Sequence, residues 1–522
     1  MTPAPLATGA RGMVCSPHHL ATAAGLEVLR GGGNAVDAVI AVNAALQVVY
    51  PPMCHLGGDG FWMVWQAATR ELVGLNGSGR AAAATSARRL RDAGYTVMPQ
   101  RGPHTVTVPG CVDGWWELRA RFGSRALAEL LAPARRLAAE GFPISPKAAL
   151  WLAGFPALHE ADGAWLAQFW PGGAPPEAGS TFRQPMLAQT YDRIAEGGRV
   201  AFYEGDLARR VAAAVQAKGG WLTEDDLAAH RSDWVEPVRS TYRGTTIAEM
   251  PPNSQGTTVQ LILNLLQLAG GLPTDPAARI DLMLRASALA YELRDAELTD
   301  PAHMDAAPDI LARPETAARL APRMSGGAAT GPPAAGDTAY FCAADAEGNC
   351  CSAIQSLYYG FGSGIVVPDT GIVLQARGAC FSLEPGHRNE LRGGARTLHT
   401  LMPGMALRDG RPWLVFGTMG GNAQAQIHAQ LVTAMVDDGD DPARAISRPR
   451  WLLGAVAEAD AAGTVSLEPG LDATVAPLAG RGHAARILDY RDAFGHAHVI
   501  EVTPAGYRAA ADPRADSLAA GL

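Results

Sequence analysis

Lysine is almost missing from this 522-residue chain: Lys147 and Lys218 are the only two, and nearly all of its 43 basic side chains are arginine. No basic cluster forms along it, and the formal net charge is -8. A surface that tracks nucleic-acid phosphates needs clustered positive charge, so no nucleic-acid partner is expected. We read the arginine bias itself as compositional. Long apolar runs are missing too, since none approaches the roughly 20 residues that a bilayer span needs, and no membrane partner is expected. Disorder is excluded, because 48% of residues are apolar and 18% charged. The opening stretch MTPAPLATGARGMVCSPHHL lacks the basic start and apolar core of a secretion signal, which points to the cytoplasm. Seven cysteines, an odd number without CxxC spacing, fit reduced thiols.

Familiar catalytic signatures are also missing. No G-x-S-x-G elbow is present, so a conventional Ser-His-Asp hydrolase lacks its best mark. The glycine runs GGDG (57–60) and GTMGG (417–421) are neither a dinucleotide fingerprint nor a P-loop; they suit turns or close backbone approach. Histidine pairs at His18, His19 and at His496, His498 lack zinc-site spacing. No metal and no cofactor is therefore expected.

What is present is enough chain for a large core, with roughly 100–200 residues per domain allowing two to four units. Residues 20–50 read as two Ala-rich helices broken by Gly31, Gly32 and Gly33, with Asn34 as N-cap of the second. FWMVW (61–65) and ELVGLNG (71–77) read as a strand pair, followed by helical regions at 112–153, 185–219, 257–270 and 279–298. Residues 325–336 form a Gly/Ala/Pro-rich segment with little apolar surface to offset its ordering cost, read as an exposed linker. Beyond it, short strands dominate: 338–345, 350–357, 364–374, 404–417 and 496–506, with one helix near 423–437. Helix-rich first and strand-rich second implies α and β layers sharing one core.

At the junction of linker and strand stands Thr338, in GDTAYF. Cleavage before it would give Thr338 a free α-amine beside its own hydroxyl, and such an amine has a pKa of roughly 7.7–8.0. A weakly acidic hydroxyl needs a base within reach, and an N-terminal threonine carries one in the same residue. An ordinary strand threonine is the alternative that pattern alone leaves open.

The motifs GGGNAVDAVIAVNAAL, YPPMCHLGGDGFWMV, TVPGCVDGW, AYELRDAELTDP, GDTAYFCAADAEGN, FGSGIVVPDTGIVL, RTLHTLMPGMALRDGRPWLVFGTMGG and ADPRADSLAAGL follow one another along the chain. In this order they resemble the gamma-glutamyltransferase family of N-terminal-nucleophile hydrolases, and most closely its oxamate amidohydrolase branch. The resemblance implies an α+β fold, a four-layer α/β/β/α sandwich. It also implies a precursor that cuts itself between Asp337 and Thr338 into a large subunit (1–337) and a small one (338–522), partners of one another with further self-assembly open. Ser356 would orient and polarise the Thr338 nucleophile, and Gly420 and Gly421 would supply oxyanion-hole N–H groups. His399 and Thr400 sit where transpeptidases carry a serine pair that contacts substrate carboxylate, and Arg80 lies near the family's carboxylate-binding arginine.

Departures from the family pattern carry the substrate reading. Tyr358, Arg377 and Cys380 stand where family members have Asn, Gln and Asp. Losing a carboxylate and gaining an arginine reverses the local field, so a pocket built for an α-ammonium would instead favour an anion. Arg377 has two readings: a pair with a structural carboxylate, or a bidentate clamp on a substrate acid. The resemblance thus implies hydrolysis of a small anionic amide such as oxamate. A γ-glutamyl hydrolase or transferase, a glutaryl-type acylase, and an uncleaved scaffold are the alternatives.

Overall fold

Alternation along the strand Asp337–Ala344 sets the architecture. Tyr340, Cys342 and Ala344 enter one apolar cluster with Met63, Met405 and Ile500, while Ala339, Phe341 and Ala343 enter another with helical residues such as Val39 and Leu46. A strand with both faces apolar must be covered on both sides. The computed structural model describes residues 3–158, 161–325, 329–333, 336–456, 460–489 and 491–522. Within them two seven-stranded antiparallel sheets face each other.

The first sheet runs, in spatial order, Leu518–Gly521, Met13–Ser16, Asp337–Ala344, Cys350–Tyr358, Asp59–Gln66, Glu71–Asn76 and Asp233–Val235. The second runs Ala7–Gly9, Gly506–Ala511, Ala497–Thr503, Arg411–Thr418, Gly404–Arg408, Thr245–Glu249 and Val238–Tyr242. Between them lies the core of Phe61, Tyr340, Met405 and Val415. On the outer face of the first sheet pack the helices His19–Arg30, Ala35–Val49, Cys111–Phe122 and Leu127–Glu140; on that of the second, Gly256–Leu268, Pro276–Glu297 and Gln424–Val436. This is the expected four-layer α/β/β/α sandwich.

The helix Ala35–Val49 is buried at every one of its 15 positions. Asn34 caps it as the sequence predicts: its side chain accepts from the N–H groups of Val36 and Asp37, and Asp37 returns a bond to the Asn34 N–H. Sheet contact is close at Gly417, where a β-carbon would stand 2.3 Å from the Tyr340 ring, so only glycine lets the two sheets meet there.

Three sequence expectations are corrected. The first 325 residues, read as helix-rich with one strand pair at 61–65 and 71–77, add five further strands of three to five residues to the two sheets: Met13–Ser16 and Asp233–Val235 in the first, Ala7–Gly9, Val238–Tyr242 and Thr245–Glu249 in the second. The region 112–153 is three helices, with the strand Phe142–Pro143 between the last two, and 364–374 holds two two-residue strands in a separate ribbon. The segment 325–336 is not simply an exposed linker. Residues 326–328 and 334–335 lie outside the described residues, but Ala329 is buried, Gly331 N–H donates to the Ala462 carbonyl at 3.0 Å, and Asn422 Nδ2 donates to the Pro333 carbonyl at 2.9 Å. Small residues that cannot form a core of their own fit closely against another surface.

Candidate active site

Thr338 lies on the third strand of the first sheet, 1% exposed. The hairpin register slips by one residue beside it: Asp337 faces Tyr358 whereas Ala339 faces Gln355. This bulge puts the extra residue on the Ser356 side and re-aims its side chain toward the Asp337–Thr338 bond. Ser356 Oγ accepts from Thr338 Oγ1 at 3.2 Å and from the Tyr358 N–H at 2.7 Å, and donates to the Asp337 carbonyl at 2.6 Å. One hydroxyl thus links the Thr338 side chain to the carbonyl of the residue before it.

The rest of Asp337 is gripped by the following loop. Its Oδ2 accepts the Gly360 N–H at 2.7 Å, and enclosure by the surrounding chain pushes its carboxyl pKa up to about 6. Arg101 opposes that rise; its own guanidinium donates to the carbonyls of Gly360 and Gly362 and stacks on Phe155 and Tyr359.

Gly420 and Gly421 form the turn between the strand Arg411–Thr418 and the helix Gln424–Val436, with φ of 136° and 54°. Among the described residues no acceptor pairs with either N–H group. Gly336 crosses directly over this turn: a β-carbon on it would lie 2.7 Å from the Gly421 α-carbon, and its φ is 141°. The turn is fastened by a residue the sequence reading missed, Gln255, whose side-chain amide donates to the carbonyls of Gly421 at 3.0 Å and Thr400 at 2.9 Å.

Arg377 is 1% exposed, and among the described residues no carboxylate lies within ion-pair distance of it. Its Nη1 meets the Thr400 hydroxyl at 3.2 Å and the Cys380 sulfur at 3.5 Å, its guanidinium lies 4.3 Å from the Tyr358 ring centre, and its Nε and Nη2 have no hydrogen-bond partner. The structural-carboxylate reading of Arg377 is thereby removed. Tyr358 itself has a φ of 80°, a conformation uncommon for a bulky residue, and it is the residue whose N–H holds Ser356. Arg377, Thr400, Tyr358, Ser356 and Thr338 therefore form one connected patch, with Cys380 at its edge.

Two other predicted site residues are engaged elsewhere. The His399 ring is buried, pairs through Nε2 with Asp59 at 3.2 Å and accepts the Leu401 N–H at Nδ1; burial, then Arg377, lowers its pKa to about 3. It is a neutral ring spent on the fold. Asp59 also receives Gly79 N–H and Gln375 Nε2. A lone acid inside GGDG, at the start of an apolar strand, was the sequence signal for this hub. Arg80 lies in a half-exposed network with Asp300 and Asp233, apart from the patch. The histidine pairs are likewise occupied: His18 caps a helix, His496 bridges Tyr50 and Asp492, and His498 accepts the Asp512 N–H.

A cavity of about 890 Å³ opens beside the patch, lined by Met98, Cys380, Phe381, Leu383, Asn389 and Leu398. A second, of about 520 Å³, is bordered by Tyr291, Arg323 and the upstream residues Ala329 to Pro332. Asp295 borders both.

Known proteins share the fold and much of the sequence. A glutathione hydrolase-like proenzyme of Bacillus subtilis is 40% identical, spanning 98% of this chain and 99% of its own length. An oxamate amidohydrolase proenzyme of Klebsiella pneumoniae is 38% identical over 98% of both. The crystal structure of a cephalosporin acylase from Bacillus halodurans superposes with a TM-score of 0.93 at 36% identity, covering 99% of this chain and 97% of that one. The family profile described as gamma-glutamyltranspeptidase matches residues 21–522. By fold and sequence, this chain is an enzyme that belongs to the gamma-glutamyltranspeptidase family.

Proposed function

We propose that the chain cuts itself between Asp337 and Thr338, and that the resulting N-terminal threonine hydrolyses a small anionic amide, with oxamate as the substrate we favour. In the self-cleavage step Thr338 Oγ1 adds to the Asp337 carbonyl carbon, and the oxygen's growing negative charge falls on the Ser356 hydroxyl already donating to it at 2.6 Å. The C–N bond breaks, the nitrogen takes the proton and becomes the Thr338 α-amine, and water hydrolyses the ester left behind. In turnover that amine takes the Thr338 hydroxyl proton, as N-terminal threonine amines do. The oxygen attacks the substrate amide, Gly420 and Gly421 N–H groups face the oxyanion, ammonia leaves, and water releases the acid from the acyl-threonine.

The observation that carries the substrate reading is Arg377, a buried guanidinium with no carboxylate partner, and with Nε and Nη2 unused, among the described residues. Burying an unpaired charge costs several kcal/mol, roughly, so a protein that keeps one has a use for the anion it attracts. Oxamate carries its carboxylate directly on the amide carbon, so one clamp would serve both binding and orientation. The 38% identity to the Klebsiella oxamate amidohydrolase proenzyme supports the same reading. No helix among the described residues is long and apolar enough to cross a membrane, and we propose a cytoplasmic location.

A second reading rests on the cavity of about 890 Å³ at Cys380, which is large for oxamate alone and suits a longer dicarboxylic monoamide of the glutaryl or glutamyl kind. A free γ-glutamyl group is disfavoured because Cys380 stands where the family's ammonium-binding acid would be. Ammonia release from oxamate, measured beside turnover of a γ-glutamyl anilide and a glutaryl amide, decides between them. Turnover of the anilide with none of oxamate would reject the primary reading.

A further inference from the structure

Six of the seven cysteines are buried, and desolvation raises the thiol pKa of Cys54, Cys111 and Cys351, which makes them poor nucleophiles. Cys380 is the exception: it is partly exposed, it lines the cavity of about 890 Å³, and its sulfur lies 3.5 Å from Nη1 of Arg377. The same guanidinium is 1% exposed and leaves Nε and Nη2 without partners. A reachable thiol therefore touches a cation that lacks its anion.

We propose that Cys380 is a modification site that closes the Arg377 pocket: a peroxide-class oxidant converts its thiol to a sulfinate, and that new anion occupies the guanidinium in place of substrate carboxylate. The inference rests on Arg377 being the anion-binding group of the proposed function. The chemistry balances as one thiol plus two molecules of hydrogen peroxide giving one sulfinate, one proton and two waters. Sulfur loses four electrons and each peroxide gains two, through a sulfenic acid intermediate. A sulfinate oxygen bonded to the Cys380 sulfur would project from an atom already in contact with Arg377, so no rearrangement of the loop is needed. A charge-assisted pair of this kind is stronger than the neutral contacts it joins. The contacts of the guanidinium among the described residues are Thr400, Tyr358 and Cys380, none of them acidic, while Asp295 and Glu384 line the wider cavity.

The test treats the processed enzyme with hydrogen peroxide and follows two quantities together: the mass of the tryptic peptide 378–388, which holds Cys380 and no other cysteine, and ammonia release from oxamate. The expected result is a gain of two oxygen atoms on that peptide, loss of activity in proportion to the converted fraction, and slower conversion in the presence of oxalate. Cys380→Ser, whatever its own starting rate, keeps that rate through the same exposure. Complete conversion of Cys380 with unchanged activity would overturn the proposal, as would equal inactivation of the Cys380→Ser protein.

Should oxamate not be a substrate, alkylation still decides the matter. Iodoacetate, which carries a carboxylate, is expected to label Cys380 faster relative to neutral iodoacetamide than it labels free cysteine, and Arg377→Met is expected to erase that preference. A wild-type ratio equal to that of free cysteine would show that Arg377 directs no anion to this thiol, independently of what the enzyme hydrolyses.

Discussion

Ser356 donates to the Asp337 carbonyl, and in the proposed self-cleavage that bond strengthens as the oxygen gains charge. Removing one such donor typically slows the step by about 10²–10³. Ser356→Ala is accordingly expected to fold, to lag in self-cleavage by that order on a denaturing-gel time course, and to give the same two fragments in the end. Thr338→Ala should remain a single band near 54.5 kDa. Arg377 makes the opposite kind of prediction. Replacing a buried, unpaired cation with an apolar side chain of similar length relieves a desolvation cost, so Arg377→Met is expected to raise the melting temperature while lowering kcat/KM for oxamate by two orders or so. A variant that loses both stability and activity would mean that the guanidinium is structural. Asp337 brings pH into the precursor. Its folded pKa of about 6 lies above its ordinary value of 3.8, so between these values the fold holds a proton that the unfolded chain has released. Stability is then lost as pH rises from about 4 to about 6, by about 2 kcal/mol once its partial exposure is allowed for. Thermal melts of Thr338→Ala against Thr338→Ala/Asp337→Asn across that range are expected to separate progressively toward higher pH and then run parallel.

At the scale of elements, the proposed working part is a bulged hairpin facing a glycine turn. Gly336, at a φ of 141° and with room for no β-carbon above Gly421, is what lets the two approach. Gly336→Ala is expected to leave the fold intact, because the clash is local, and to let the precursor accumulate on the same gel assay; unchanged cleavage would mean that the turn takes no part. The hairpin was readable in sequence because Thr338 to Ala344 alternate and because AEGN supplies its turn. The bulge was not, since register depends on which residue of the partner strand is left over, and composition carries no mark of that. Arg377 was legible as a charge in a place that wanted none. Its isolation was not, because only packing shows that no carboxylate among the described residues comes within ion-pair distance of it. His399 illustrates the reverse: position in a motif suggested contact with substrate, while the buried Asp59, 340 residues away in sequence, holds its ring. The edge strands Asp233–Val235 and Val238–Tyr242 escaped notice for a simpler reason, being three and five residues long with mixed burial.

At the scale of the molecule, both sheets are woven from both sides of the Asp337–Thr338 bond. Asp337–Ala344 lies between Met13–Ser16 and Cys350–Tyr358, and Gly404–Arg408 pairs with Thr245–Glu249. Lys147, one of the two lysines, adds an ion pair from the first part to Asp492 in the second. Cutting the bond leaves these ladders untouched. The two fragments are therefore expected to co-elute in gel filtration as a unit of the precursor's mass or a multiple of it, and to separate only in denaturant; separate elution under native conditions would contradict the shared-core arrangement.

The same weave governs how the protein is made. Met13–Ser16 pairs on one side with Asp337–Ala344 and on the other with Leu518–Gly521. At synthesis rates of about 5–20 residues per second, the first partner follows by roughly 15–65 s and the second by roughly 25–100 s. Until the first partner arrives this early strand waits on the ribosome with both edges open, and Ser356 and Gly421 follow Thr338 by a further 18 and 83 residues. The proposed cut therefore has to await residues made well after the early strands, and those strands present open edges of the kind that invite mispairing until their partners are made.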